Sequence, residues 1–349
     1  MLRPFHAFAF VTLVIAAGCA SVAITGDPAV TVTARAETVP VGTSNDDAAD
    51  DPAIWRNPDD PAQSLIVGTD KKGGLYVYDL AGRERSFMAG AGLNNVDLAT
   101  LPDGRVMVVA SDRSDLATAH ILVARLDTSS AELMPIERIE IGEGEGYGIC
   151  IGEVSPAGRL TVYSAPKSGT IYETQLSFAN DGVSDSTRVL TTVPSQPEGC
   201  VADTRSDTLY IGEEIAGIWA IDTGSGEKRL EARVDNALLV ADVEGLAIAP
   251  EGERGGYLVA SSQGDNAFAV FRLPAMEPVG RFRIAQGTYG SAEETDGIEV
   301  DPRSFGPAFP NGLFVAQDGI NSPDAQNFKL VGWGDILASL RAGQPVAAR

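Results

Sequence analysis

Glu198-Gly199-Cys200-Val201 is one copy of the short pattern that decides the fold: a polar residue, usually followed by glycine, opens an apolar run. The pattern occurs six times at intervals of about 44 to 52 residues, a period typical of propellers and solenoids. The other five openings are Asp51-Pro52-Ala53-Ile54, Asn95-Val96-Asp97-Leu98, Tyr147-Gly148-Ile149-Cys150, Glu244-Gly245-Leu246-Ala247 and Asp296-Gly297-Ile298-Glu299. The repetition indicates which polar residues occupy equivalent places in the fold.

A second strand follows each opening and ends in another polar cluster, and a third strand often carries an aromatic residue such as Tyr76, Trp219 or Phe268. Apolar and β-branched residues that alternate between Gly, Asp, Asn and Pro predict strands, and no helical stretch longer than two turns is expected. Four short strands per repeat, arranged radially, predict an all-β fold. That fold is a six-bladed β-propeller in which each blade is a four-stranded antiparallel sheet.

The segment from Val30 to Val39 alternates like a strand and precedes the first opening. We expect this N-terminal strand to pair with the last repeat and close the ring, which would remove exposed sheet edges. A stacked solenoid is the alternative, but the chain lacks polar capping repeats at its two ends. Because no stretch between repeats resembles a linker, we predict a single domain over residues 30–345.

Residues 1–19 are predicted to be a signal peptide. Arg3 precedes an apolar run, Phe8 to Ala17, that is too short to span a membrane as a fixed helix. The run ends in Ala16-Ala17-Gly18-Cys19, which is similar to the bacterial lipoprotein box, whose cysteine becomes lipidated. An ordinary secretory signal, cut for example after Ala20, is the alternative. Both interpretations predict export, either as an outer-membrane lipoprotein anchored only through Cys19 or as a periplasmic or secreted protein.

The remaining two cysteines, Cys150 and Cys200, lie at nearly matching positions on the opening strands of adjacent repeats. In an oxidising compartment such a pair can form a disulfide, and the alternative is two small buried apolar residues. Neither cysteine has a histidine near it, because the histidines are His6, in the signal segment, and His120. Cys–His and Ser–His–Asp catalysis and histidine-based zinc sites are therefore disfavoured.

The chain is strongly acidic, with 48 Asp and Glu against 26 Lys and Arg and a formal net charge of −22. Its overall field will not attract nucleic acid or an anionic membrane surface. An acidic excess is often only a solvated surface, but it also suits calcium, a hard cation that is held by carboxylate, amide and carbonyl oxygens.

Equivalent residues of propeller blades form rings around the central channel. The predicted first ring is Asp51, Asn95, Tyr147, Glu198, Glu244 and Asp296, and the predicted second ring is Lys71, Arg113, Lys167, Glu214, Gln263 and Asp318. The second ring has cations on blades one to three and acidic or amide groups on blades four to six. Like charges that face one another are costly unless a ligand neutralises them. This separation of cations from acids predicts an anionic ligand that contacts the cations directly and the acids through a metal ion, such as a phosphate ester with calcium.

Longer stretches at these positions carry a family resemblance. They include Asp50-Asp51-Pro52-Ala53-Ile54-Trp55, Asp70-Lys71-Lys72-Gly73-Gly74-Leu75, Leu93-Asn94-Asn95-Val96-Asp97, Glu213-Glu214, Asp242-Val243-Glu244-Gly245-Leu246, Ser261-Ser262-Gln263-Gly264, Thr295-Asp296-Gly297-Ile298 and Gln326-Asn327-Phe328-Lys329. From about Asp46 to Trp333 the chain resembles the β-propeller phytases, the calcium-dependent alkaline 3-phytases of bacteria. The cysteine pair and the lipobox-like start resemble the Gram-negative members more than the Bacillus type.

The resemblance implies several bound Ca²⁺ ions and hydrolysis of phytate (myo-inositol hexakisphosphate), as its calcium complex, to lower inositol phosphates and inorganic phosphate by a metal-activated water. It implies that the substrate-binding and catalytic residues are Lys71, Arg113, Tyr147 and Lys167. It implies that the residues that bind calcium or orient the water are Asp50, Asp51, Glu198, Glu214, Asp242, Glu244, Asp296 and Asp318, with Glu198 also catalytic. A monomer is expected.

Two functions from other classes remain as alternatives. A calcium-dependent lactonase would also use a six-bladed propeller with carboxylates in the channel, but it would not need the cations Lys71, Arg113 and Lys167. A non-catalytic binding propeller would not need a channel in which charges of opposite sign are separated.

Overall fold

The computed structural model describes residues 25–44, 47–179 and 182–343. The predicted signal peptide, residues 1–19, and its lipidation site Cys19 lie outside these ranges. In chain order the strands are β1 (Val30–Thr33), β2 (Ala36–Glu37), β3 (Ala49–Trp55), β4 (Leu65–Asp70), β5 (Gly74–Asp79), β6 (Glu84–Ala89), β7 (Leu93–Thr100), β8 (Val106–Asp112), β9 (Thr118–Asp127), β10 (Glu132–Glu143), β11 (Gly148–Val154), β12 (Leu160–Ala165), β13 (Thr170–Ala179), β14 (Gly182–Thr192), β15 (Pro197–Asp203), β16 (Thr208–Glu213), β17 (Gly217–Asp222), β18 (Lys228–Arg233), β19 (Val243–Glu251), β20 (Gly255–Ser262), β21 (Ala267–Leu273), β22 (Glu277–Ala285), β23 (Ile298–Asp301), β24 (Leu313–Asp318) and β25 (Asn327–Gly332).

The strands form six blades around one channel, which confirms the predicted propeller. Blades one to four are the four-stranded antiparallel sheets β3–β6, β7–β10, β11–β14 and β15–β18. Blade five contains β19–β22, and blade six contains β23–β25. The innermost strands of neighbouring blades contact one another, and contacts between β23 and β3 close the ring.

The N-terminal segment joins two blades rather than one. β2 is the outer strand of blade six and pairs antiparallel to β25, with Ala36 opposite Leu330. β1 instead pairs parallel to β22 of blade five, with Val30 opposite Phe282, and gives that blade a fifth strand. The predicted pairing with the last repeat is therefore right for β2 and wrong for β1. Both pairings cover sheet edges that would otherwise expose unpaired backbone groups.

A helix, α1 (Trp333–Gly343), follows the last strand, so the expectation of no helical stretch longer than two turns is wrong. Its buried residues are Trp333, Ile336 and Leu340, which recur at helical spacing along one face. This face packs on the cluster that contains Phe282 and Phe314, between blades five and six. In the part of the chain that the structure describes, no helix has the length and apolar character needed to cross a membrane.

Apolar side chains fill the spaces between neighbouring blades. Between blades one and two, for example, Val67 and Val77 pack with Val96 and Val108, and all four are buried. Because the core lies between the blades, the starts of the inner strands are free to present polar side chains to the channel. The candidate site is built from these strand starts.

Candidate active site

Glycines set the spacing of the inner strands at the site. In blades three to six a glycine directly follows the polar opening residue, and its Cα packs against the carbonyl oxygen of the opening residue in the next blade. A Cβ added at Gly199 would lie 2.1 Å from the oxygen of Glu244, and one added at Gly148 would lie 2.1 Å from that of Glu198. Only glycine permits such a close backbone approach, which explains why the pattern repeats in the sequence.

This relationship corrects the predicted first ring in two blades. Gly297 donates its N–H to the carbonyl of Asp50, not to that of Asp51, at 3.0 Å. Asp50 is therefore the ring residue of blade one, and Asp51 takes the place that glycine has in blades three to six. Asn95 takes that place in blade two: the backbone N–H groups of Asp51 and Asn95 donate to equivalent hydroxyl oxygens, those of Thr69 and Ser111. The predicted ring is displaced by one residue in blades one and two, because neither blade has a glycine after its opening residue.

Three acids converge: Glu198, Glu214 and Glu244 contribute carboxylate oxygens that lie within 4.8 Å of one another. Burial raises the pKa of Glu198, and burial together with the Glu198 charge raises the pKa of Glu244. Burial and the nearby Glu198 raise the pKa of Glu214 to about 7, although Gln196 donates a hydrogen bond to it. Three converging acids of this kind are costly to ionise together without a cation.

The donor set of this group fits calcium. The ligand atoms are carboxylate oxygens, which a hard cation prefers. Glu244 Oε2 is buried, and no described residue donates a hydrogen bond to it. Asp50 Oδ2, which is also buried, has no hydrogen-bond donor in the described ranges. Buried acceptor oxygens without donors are rare, and a bound cation would satisfy them.

A cavity of about 380 Å³ opens beside these acids. The predicted site residues that line it are Lys71, Tyr147, Glu198, Glu214, Asp242, Glu244 and Asp296. Gln263 also lines the cavity, and its Nε2 donates to Asp296 Oδ1 at 2.7 Å. The structure thus brings residues from blades one, three, four, five and six to one polar chamber.

Lys71 is surrounded by acids. Its Nζ lies 2.8 Å from Asp47 Oδ1, 3.0 Å from Asp50 Oδ1 and 3.1 Å from Asp296 Oδ2. Burial disfavours the ammonium charge, but Asp50, Asp296 and Asp47 outweigh that cost and raise the pKa of Lys71 above its usual value. Lys71 therefore remains charged and neutralises part of the acidic half of the chamber.

Arg113 and Lys167 form a second cationic group beside the ring of Tyr147. The Arg113 guanidinium carbon lies 5.6 Å from the centre of the Tyr147 ring, and Lys167 Nζ lies 4.4 Å from it. Burial and the charges of Glu198 and Glu244 raise the pKa of Tyr147, so its hydroxyl stays protonated. The three residues place two positive charges and one hydroxyl donor beside the acidic chamber.

Sequence reasoning missed two residues that organise this group. Glu145 Oε1 lies 2.6 Å from Arg113 Nη2 and 3.3 Å from Lys167 Nζ. Fully buried Asn94 accepts a hydrogen bond from Arg113 Nη1 at 2.8 Å and donates one to Glu198 Oε1 at 3.1 Å. Asn95 takes the place of the glycine in blade two, as Asp51 does in blade one. Asn94, which precedes Asn95 as Asp50 precedes Asp51, is therefore the ring residue of blade two. The sequence pattern contains no comparable signal for Glu145.

Two of the predicted calcium ligands lie away from the chamber. Asp318 is buried beside Lys329, whose Nζ lies 3.0 Å from Asp318 Oδ2, and it accepts from the Glu293 amide at 3.1 Å. Asp51 lies in a narrower part of the channel, where its Oδ2 accepts from the Val96 amide at 3.0 Å. Burial and the neighbouring Asp50 raise the pKa of Asp51.

A disulfide joins Cys150 to Cys200, with their Cα atoms 5.4 Å apart. The bond links β11 of blade three to β15 of blade four, and Cys200 lines the narrow part of the channel. It therefore connects the two blades whose first residues are Tyr147 and Glu198.

Comparisons with known proteins agree with this geometry. A family model described as Phytase matches residues 5–346. A curated 3-phytase from Bacillus subtilis (strain 168) is 36% identical over 328 residues, which is 88% of this chain and 85% of that protein. The solved structure of U3-55K, 11% identical with a TM-score of 0.54 over 86% of this chain and 99% of that chain, is similar in fold alone. Together the family match and the curated relative show that the chain belongs to the β-propeller phytase family.

Proposed function

We propose that the protein hydrolyses phytate to lower inositol phosphates and inorganic phosphate in a calcium-dependent reaction. The proposal rests on one observation: a group of positively charged side chains lies next to a group of negatively charged side chains. Arg113 and Lys167 lie against the ring of Tyr147, and Tyr147 lines the same chamber as Glu198, Glu214 and Glu244. The 3-phytase relative supports phytate as the substrate.

The residues that would hold calcium are Glu198, Glu214 and Glu244, with Asp50, Asp242 and Asp296 beside them. When bound, the ion would neutralise these acids, shield the substrate phosphate from them and lower the pKa of a water molecule. Because the acids are crowded and mostly buried, their ionised forms would be stable together only with such a cation.

Arg113 and Lys167 would bind oxygens of the phosphate that is cleaved. The Arg113 guanidinium suits two phosphate oxygens at once, and Lys167 supplies a point charge. The protonated hydroxyl of Tyr147 would donate to a further oxygen. Phosphoryl transfer depends mainly on positioning and charge neutralisation, so these residues can support it without a histidine or cysteine nucleophile.

Lys71 would act between the two groups. Its ammonium is held by Asp47, Asp50 and Asp296, and it lines the chamber next to Glu198. It would contact a phosphate oxygen while it keeps Asp50 and Asp296 in place. Glu198, which accepts a hydrogen bond from Asn94, would orient the attacking water.

Phosphate release from phytate by the purified protein tests the proposal, with calcium present and then with a calcium chelator. We expect release only with calcium, and restored release when calcium is returned. Folded protein that binds calcium but releases no phosphate would contradict the proposed activity. Release that is equal in chelator would contradict only the calcium requirement.

A further inference from the structure

Glu145 lies between the two cations that contact the ring of Tyr147. A single oxygen, Oε1, lies 2.6 Å from Arg113 Nη2 and 3.3 Å from Lys167 Nζ. That oxygen is buried and has no other hydrogen-bond partner in the described chain. The two cations therefore converge on one acceptor, and in this structure the acceptor belongs to the protein.

Hydrogen bonds hold the backbone of Glu145 and of the residue before it, and the Glu145 side chain borders solvent. The Lys167 amide donates to the Glu145 carbonyl at 3.1 Å, and the amide of the preceding Gly144 donates to the Ala117 carbonyl at 2.9 Å. The ion pair is also within reach of solvent, because the side chains of Arg113, Lys167 and Glu145 are 27%, 28% and 19% exposed. An anion can thus reach both cations if the Glu145 carboxylate turns away.

We propose that Glu145 is an internal competitor for the phosphate-binding cations: its carboxylate occupies the position of a phosphate oxygen in the empty site and leaves when phosphate binds. The inference rests on the proposed function, in which Arg113 and Lys167 bind the substrate phosphate. It adds a specificity-determining residue to that site.

Competition of this kind favours doubly charged ligands. A phosphate ester that carries nearly two negative charges at neutral pH attracts the cation pair more strongly than one carboxylate does. A singly charged anion has no such advantage over Glu145. The same competition weakens binding of the product, inorganic phosphate, because every bound anion must displace an ion pair that re-forms when the anion leaves.

Glu145→Gln tests the proposal, because it keeps the size of the side chain and removes its charge. The probe is inorganic phosphate, titrated calorimetrically into the calcium-loaded protein at calcium concentrations too low to precipitate it. We expect phosphate to bind about threefold to fivefold more tightly to Glu145→Gln than to the unchanged protein, the upper part of the range expected for losing a partly exposed ion pair. In the phytate assay, KM should fall while kcat does not rise.

Glu143→Gln is the matched control. Glu143 lies two residues earlier, is exposed, and its side chain makes no hydrogen bond or ion pair among the described residues. This variant loses the same charge, so phosphate affinity should stay within about twofold of the starting value. Equal tightening in both variants would show a general effect of charge and would overturn the proposal.

Arg113→Gln separates this inference from the proposed function. If it abolishes phosphate binding but Glu145→Gln binds phosphate no more tightly, the phosphate site stands and competition by Glu145 is rejected. Weaker binding by Glu145→Gln would show instead that the carboxylate positions the cations. If Arg113→Gln binds phosphate like the unchanged protein, the phosphate site itself is wrong and the inference fails with it. Thermal unfolding of each variant checks that it is folded.

Discussion

Asn94 and Glu198, on the inner edges of blades two and four, are joined by a hydrogen bond of 3.1 Å from Nδ2 to Oε1. The other atom of the same amide, Oδ1, accepts from Arg113 Nη1 at 2.8 Å. A fully buried side chain therefore connects a residue of the cationic group to a residue of the acidic group. One amide therefore helps to orient both Arg113 and Glu198.

Asn94→Ala should lower kcat/KM for phytate by about tenfold to a hundredfold, the usual effect of losing a residue that orients ligand-binding side chains. Asn94→Asp keeps the contact to Arg113 but places a carboxylate against Glu198, so it should impair activity more at low calcium than at high calcium. Steady-state kinetics at several calcium concentrations checks both expectations. Activity of Asn94→Ala near that of the unchanged protein would show that Arg113 and Glu198 hold their positions without the amide.

Lys71→Met should destabilise the calcium-free protein strongly. Its Nζ is the partner of Asp50, which is fully buried and has no other donor in the described ranges. Removing one partner of a buried ion pair costs about 3–5 kcal/mol, because the other charge remains buried. Denaturant unfolding in chelator measures this free energy.

Calcium should recover part of the loss in Lys71→Met, because the ion replaces some of the missing positive charge. Arg35→Met is a useful comparison: the Arg35–Asp335 pair is exposed, so its loss should cost about 0–1 kcal/mol. Equal losses in the two variants would show that Lys71 does not neutralise the acidic half of the chamber.

The disulfide should stabilise the fold without taking part in the reaction. It closes a loop with a sequence separation of 50, so a Cys150→Ala/Cys200→Ala variant should lose about 2–4 kcal/mol of unfolding free energy. The chamber residues do not depend on the bond for hydrogen bonds, and kcat at 25 °C should change less than about twofold. A large loss of kcat in folded protein would show that blades three and four need the bond to align Tyr147 with Glu198.

The fold was predictable because one local requirement repeats. Wherever neighbouring inner strands approach closely, glycine follows a polar residue, and Gly199 and Gly245 carry that signal in the sequence. The prediction failed by one residue where the glycine is missing, at Asp51 and Asn95. The pairing of β1 was also predicted wrongly, since nothing in the sequence of Val30–Thr33 specifies a parallel pairing with β22.

The chemistry of the site was less predictable than its location. The repeat positions predicted that Arg113 and Lys167 belong to one ring, but the pairing of both with Glu145 depends on a loop conformation that has no periodic signal. Asp318 is also displaced by one residue: Ile298 pairs with Ala316 as Cys200 pairs with Ile211, so Asp318 matches Glu213 rather than Glu214. Its carboxylate lies beside buried Lys329. A repeat predicts the backbone position of a residue. The partners of its side chain depend on neighbouring residues, which differ between blades.

The carboxyl of Glu214 gives the calcium-free protein an unusual pH dependence. Burial and the nearby Glu198 raise its pKa to about 7 in the folded state, against an unfolded value near 4.5. The folded protein therefore binds more protons than the unfolded chain between these two values, and its stability should increase as the pH falls from about 8 to 6. Calcium reverses this trend, because the ion binds the ionised carboxyls and its added stability should grow as the pH rises.

Thermal unfolding at pH 6, 7 and 8, with chelator and with calcium, measures the two trends. We expect the calcium-free Tm to rise toward pH 6 and the difference between the two Tm values to widen toward pH 8. Glu214→Gln should flatten the calcium-free trend, since an amide cannot lose a proton, and should weaken calcium binding. A calcium-free Tm that falls toward pH 6 would contradict the raised pKa of Glu214, because the folded protein would then not bind the extra proton in this range.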